Sequence, residues 1–143
     1  MMNSSPDLFR LVYVSRNLVS SAETEAAILD ILGASRRRNP ANGVTGALLF
    51  SEDCFAQSLE GTMSAVEALF EHIQMDARHD QVVLLEAGPV TRRDFGDWSM
   101  GFAGHRKDAA LSFESLVATP SESSRRVLDV LRGALGRTTP VLV

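Results

Sequence analysis

Residues Val44 to Glu60 read VTGALLFSEDCFAQSLE, two mostly apolar runs joined by Ser51-Glu52-Asp53. Three polar residues between β-rich runs make a hairpin-length connection, so the middle of the chain is expected to be two strands, Val44–Phe50 and Cys54–Glu60. What flanks this hairpin decides the topology. Upstream, Leu8–Ser15 (LFRLVYVS) is a β-rich run in which Phe9, Leu11, Tyr13 and Ser15 share a face. A helix follows it: Ser20 and Glu23 have capping-box spacing, Ile28, Ile31 and Leu32 form an apolar stripe, and Pro40 with Gly43 marks a closing loop.

Downstream of the hairpin, Thr62 can cap a second helix whose Val66, Leu69, Phe70 and Ile73 fall at i, i+3, i+4 and i+7. Gln81–Ala87 is a fourth strand, broken by Gly88-Pro89, and Trp98–Ala103 a fifth. The order βαββαββ contains two crossovers around one five-stranded mixed sheet. It predicts an α/β ferredoxin-like sandwich with both helices on one face. Yet Val82-Val83-Leu84-Leu85 is apolar on both sides, so the second face needs a cover. The tail offers one: a short helix over 108–118, then a longer helix capped by Ser121 after Pro120. Val127, Val130, Leu131, Ala134 and Leu135 form its stripe, and Gly136 is its stop. Residues 105–143 are therefore expected to be a helical cover of the domain formed by residues 1–104.

The composition narrows the function. The 143 residues suit one domain, and a net charge of -4 gives no general reason to expect nucleic acid or an anionic membrane as partner. A single cysteine, Cys54, excludes an internal disulfide and suits a reducing, cytoplasmic setting. No apolar run reaches the roughly 20 residues of a membrane span. There is no GxGxxG, P-loop, HExxH or GxSxG, and His72, His79 and His105 lack metal-ligand spacing.

What remains is polar chemistry on elements that should be buried. Tyr13, the one tyrosine, lies on an apolar strand face where its hydroxyl needs a partner. Gln57 shares a face with Phe55 and Leu59, and an unsatisfied buried amide costs about 1–3 kcal/mol. Asn39 ends the first helical region, and Asp76 with Arg78-His79 ends the second. A planar ligand wedged between the two helices would meet Tyr13 and Gln57 from below and these helix-end groups along its edges. Each residue also has an ordinary explanation: Tyr13 as core, Gln57 satisfying backbone at a sheet irregularity, Asn39 as a turn residue, Asp76 and Arg78 as a solvated helix end.

Taken in order, these stretches resemble the BLUF family of flavin-based blue-light sensors, in its short single-domain form. The matching pieces are Leu11-Val12-Tyr13-Val14-Ser15, Ser35-Arg36-Arg37-Arg38-Asn39, the run Gly43–Phe50, and Phe55–Gly61. Asp76-Ala77-Arg78-His79 and Phe95-Gly96-Asp97-Trp98-Ser99-Met100 continue the series. The resemblance implies a noncovalently bound FAD or FMN. In this likeness Tyr13 is the electron and proton donor to the excited flavin, and Gln57 stands between Tyr13 and the ring. Asn39 bonds the pyrimidine edge. Arg38, Asp76, Arg78 and His79 serve the polar edge, the ribityl chain or the phosphate, and His72 is a further ring contact. Trp98 and Met100, placed on the last strand, relay a rearrangement of Gln57.

The physics suits such a switch. A glutamine amide has donor and acceptor ends of similar shape, so rotating or tautomerising it exchanges the two at small steric cost. Cys54 alternates with Phe55 and Gln57, points away from the cleft, and is not needed. With no output enzyme expected, the signal would pass to an unidentified downstream protein or through a homo-oligomer. Two other readings compete. An acylphosphatase-like phosphoryl hydrolase would use Arg36 or Arg38 with Asn39, but Arg16-Asn17-Leu18-Val19-Ser20 lacks the expected glycine-rich phosphate loop. A colourless ferredoxin-like module used for small-molecule binding or dimerisation would share most of these features except the flavin.

Overall fold

The computed structural model describes residues 7–106 and 111–135. Strand β1 (Phe9–Asn17) leads through a 3₁₀ turn (Ser21–Glu23) into α1 (Thr24–Asn42); β2 (Thr45–Ser51) and β3 (Cys54–Gly61) form the hairpin. Then come α2 (Met63–Gln74), β4 (His79–Pro89), β5 (Gly101–Arg106), α3 (Phe113–Ala118) and α4 (Pro120–Leu135). The sheet order is β4-β1-β3-β2-β5, antiparallel except for the parallel β2–β5 pair. This is the expected ferredoxin-like sandwich with a fifth strand added beside β2.

The period-2 alternation sorts the sheet into two cores. Leu11, Tyr13, Leu48, Phe50, Phe55 and Leu59 face α1 and α2, together with Ile28, Leu32, Val66 and Leu69. Val12, Val14, Ala47, Leu49, Cys54 and Ala56 face the other way, where Leu116, Val127, Leu128, Leu131 and Leu135 of α3 and α4 cover them. Central strand β3 is buried along its whole length. Both faces being covered explains why its sequence lacks the polar alternation of a half-exposed strand.

Several sequence expectations need correction. Helix α1 runs through Pro40 to Asn42, so the loop placed at Pro40 is the helix's last turn. A proline there removes one amide donor. Gly43, at φ 68, closes the end by donating to the carbonyls of Asn39 and Pro40. The Ser20 capping box becomes a 3₁₀ turn in which the hydroxyl meets the Glu23 carboxylate at 3.4 Å. Thr62 caps α2 as expected, accepting from the Ala65 amide at 3.2 Å. Pro120 itself, not Ser121, begins α4, a position that tolerates its missing N–H. The expected start of the short tail helix at 108 and the stop at Gly136 lie outside the described residues.

The largest correction concerns the last strand. Trp98 and Met100 precede β5 and are not part of it. Side chains fix the segment before β5, not a regular ladder. The Glu60 carboxylate accepts from the Asp94 and Phe95 amides at 2.6 and 3.1 Å, and Arg93 donates to the Gly43 carbonyl at 2.9 Å.

Candidate functional site

Register places the central pair. Tyr13 on β1 lies opposite Gln57 on β3, which lies opposite Leu48 on β2. Residues directly opposite in a sheet share a face, so the three stand in a row beneath α1 and α2. The Tyr13 hydroxyl donates to Gln57 Oε1 at 2.6 Å, and Gln57 Nε2 donates to Met100 Sδ at 3.2 Å. Tyr13, Gln57 and Met100 are all buried. One lone pair and one N–H of the Gln57 amide stay available to a ligand above it.

Above this row, α1 and α2 part to leave a cleft lined by apolar and polar side chains of both helices and the sheet. Tyr13, Gln57, Leu48 and Phe55 form its floor; Ile31 and Ser35 of α1 face Leu69 and Ile73 of α2 across it. A second cleft shares Arg38, Leu69 and His72 with the first and adds Asn39 and Asn42, continuing the groove between the helices.

The helix-end groups divide sharply in what they have left to offer. Asn39 Nδ2 donates to the Ser99 carbonyl at 2.7 Å, whereas its Oδ1 is buried without a partner, as is Arg38 Nε. A buried amide oxygen without a donor is costly, so the groove calls for a ligand edge carrying an N–H. Arg78 is held by Asp76 through 2.6 and 2.9 Å bonds and by Asp30 at 2.9 Å. Hydrogen bonding to Arg78 lowers the Asp76 pKa, outweighing burial, and the same bonding raises that of Arg78. This side of the cleft thus carries a fixed guanidinium. His72 lies exposed at the mouth between the two clefts.

His79 differs from its sequence placement. It opens β4, is buried, and both ring nitrogens are engaged: Nδ1 with Ser15 Oγ at 2.6 Å and Nε2 with the Ile73 carbonyl at 2.7 Å. Because a carbonyl only accepts, Nε2 carries a proton. His79 ties the end of α2 to β1, and its ring stands edge-on to Tyr13 and Phe55.

Trp98 and Met100 separate. Met100 is in the core under α1 and α2, touching Gln57, whereas half-buried Trp98 packs with the core under α3 and α4. Cys54 points to that second side too, its thiol against the Leu111 carbonyl at 3.2 Å. Burial and nearby Asp53 raise its pKa to about 11 against an opposing bond from Ser51. Of the groups a phosphoryl hydrolase would need, Arg36 and the Asn39 amide nitrogen are spent on the main-chain carbonyls of Met100 and Ser99, which leaves Arg38 without its asparagine partner. Sequence reading missed Arg36 as a neighbour of the site, since a guanidinium's target lies 64 residues away. It also left out the floor residue Leu48, which only the β2–β3 register sets beside Gln57.

Among the described residues no cluster of three or more His, Cys, Asp or Glu could hold a metal, and no helix is long and apolar enough to cross a membrane. The donor set fits a flat heteroaromatic ring with N–H and C=O groups on one edge. Comparison with known proteins points the same way. Over 98 residues the chain is 34% identical to the photoactivated adenylate cyclase subunit beta of Euglena longa, and over 93 residues 36% identical to subunit alpha of Euglena gracilis. These matches cover 68% and 65% of this chain but only 11% and 9% of those much longer proteins. Among solved structures, the dark state of BlrB, a BLUF protein, superposes with a TM-score of 0.75 at 33% identity, covering 91% of this chain and 98% of that one. BlsA in its ground state gives 0.78 at 27% identity, covering 93% and 92%. Residues 8–101 match the family described as BLUF, sensors of blue light using FAD, and with its Tyr13–Gln57–Met100 row beneath the cleft the chain belongs to that family.

Proposed function

We propose that the chain is a blue-light receptor whose FAD or FMN sits noncovalently between α1 and α2. The observation that carries this reading is the Tyr13–Gln57–Met100 hydrogen-bond row on the cleft floor, beside the partnerless oxygen of Asn39. When bound, an oxidised flavin absorbs blue light and in its excited state accepts an electron and a proton. The residues do the rest. Burial, and then Asp76, push the Tyr13 pKa upward, so the phenol keeps its proton in place at ordinary pH. That proton is aimed at Gln57 Oε1. The Gln57 amide can turn or tautomerise because its other bond, to a thioether sulfur, is a weak one. Asn39 would hold the pyrimidine edge, and Arg38, Arg78 and Asp76 the polar edge or the ribityl chain, with His72 at the mouth. His79, with both nitrogens committed, would act by fixing α2 against Tyr13.

For the output we assign no catalysis to the chain itself. Residues 1–104 act as the flavin-binding part and residues 105–143 as its helical cover. Asp94 links the segment carrying Trp98 and Met100 to both layers, pairing with Arg10 at 3.0 Å and with Arg132 of α4 at 2.6 Å. A change at Met100 would reach α4 by this route and alter contact with a downstream cytoplasmic partner or a second copy. Purified protein is expected to be yellow, releasing an oxidised flavin on heating or acidification. Colourless protein that takes up neither FMN nor FAD would overturn the proposal, as the colourless-module reading requires.

A further inference from the structure

Trp98 and Met100 are two residues apart, which in a regular extended segment puts both side chains on one face. Here they point to opposite cores. The main chain between them must therefore be bent, and three consecutive carbonyls hold it. The Gly46 amide donates to the Trp98 carbonyl at 3.1 Å and Asn39 Nδ2 to the Ser99 carbonyl at 2.7 Å. Arg36 Nε and Nη2 converge on the Met100 carbonyl at 3.3 and 3.2 Å. Arg36 and Asn39 are three apart on α1, on one face of the helix, so the helix grips the segment at two points.

The donors are not equivalent. The Gly46 amide is main chain, and Asn39 also borders the cleft. Arg36 touches neither the cleft nor the Tyr13–Gln57 pair, yet it fixes the residue whose sulfur completes that row. A forked cation on one carbonyl is among the stronger ties available there. Released from it, the segment could straighten toward regular extension, carrying Trp98 to the side that Met100 now occupies.

We propose that Arg36 is a positioning residue of the photoswitch: by holding the bend at Ser99–Met100 it selects Met100, not Trp98, as the neighbour of Gln57. Its photochemical consequence rests on the flavin reading; its structural consequence does not. Trp98 is the single tryptophan, so its fluorescence reports the selection directly. The experiment compares wild type, Arg36→Ala and Arg36→Lys, first without flavin and then loaded with FMN. Without flavin, Arg36→Ala should shift the Trp98 emission maximum and change its acrylamide quenching, and Arg36→Lys, which keeps a cation for the carbonyl, should restore most of the wild-type signal. Loaded with FMN, Arg36→Ala should show stronger quenching of Trp98 by the flavin and a dark-recovery rate changed about tenfold, the scale of one charged hydrogen bond. Arg36→Ala with unaltered Trp98 emission and recovery within about twofold of wild type overturns the proposal, even if its melting temperature falls, since that is a purely structural tie. If the wild type takes up no FMN, the photoreceptor reading fails while the flavin-free comparison still decides the role of Arg36.

Discussion

Tyr13 and Gln57 face each other across the β1–β3 pair, with the phenol donating to the amide oxygen at 2.6 Å in a site that is buried on every side except the cleft. The two residues are 44 positions apart, so only the sheet brings them together.

Tyr13→Phe should keep the flavin but lose the small, reversible red shift that blue light produces in its absorption band, because phenylalanine preserves the packing and removes the proton donor. Gln57→Leu should do the same, since leucine fills the space with neither donor nor acceptor. Dark and illuminated absorption spectra decide it. A full shift in Tyr13→Phe would reduce Tyr13 to a core residue.

The ionisation of Tyr13 can be read without illumination, because it is the one tyrosine. Burial, then Asp76, raises its pKa above the ordinary 10.0. In flavin-free protein the tyrosinate absorption should be missing at pH 10 and appear on unfolding at the same pH. A native titration near pH 10 would contradict the buried Tyr13–Gln57 pair.

Cys54→Ala should leave the photocycle unchanged. The wild-type thiol, with a pKa of about 11, is only about a thousandth thiolate at pH 8, so alkylation should be slow in native protein and fast once unfolded. Loss of the light response in Cys54→Ala would point instead to a cysteine adduct.

Acid should loosen the contact between β4 and α4. Glu86 is bonded by Ser124 and by Arg10 at 2.9 Å, and these bonds lower its pKa from 4.5 despite the opposing effect of burial. A carboxylate with a depressed folded pKa stabilises fully above its unfolded value and loses that contribution as pH falls through the folded one. Melting temperature should therefore drop below about pH 4.5 less steeply in Glu86→Gln than in wild type. Equal slopes would remove Glu86 from the acid response.

Hydrogen exchange in dark and light tests the output route. Light should change exchange in Gly101–Arg106 and in α4, and Met100→Ala should abolish the difference, since the signal is proposed to cross from Gln57 through Met100. Coupling of this kind needs only a few kcal/mol between two arrangements. Identical exchange in α4 under both conditions would exclude the route.

Element order, the two-faced sheet and the key polar pair follow from local patterns along the chain. Period-2 alternation in β1 and β3 is a local property, so it put Tyr13 and Gln57 on the helix face and Cys54 on the other without any knowledge of the fold. The doubly apolar β4 likewise called for a second covering layer, which α3 and α4 supply. Whatever depends on side chains reaching across the chain emerges only in the folded molecule. Asn39 was legible as a polar helix end, but not that its amide nitrogen is spent on Ser99 while its oxygen is left for a ligand. His79 looked free, and long-range contacts to Ser15 and Ile73 occupy both its nitrogens. Trp98 and Met100 read as one extended strand because local propensity favours that. Donors from α1 and β2 and the buried Glu60 carboxylate override it, bending the segment and sending the two side chains to opposite cores. Such bonds join residues far apart in sequence, so no local pattern records them.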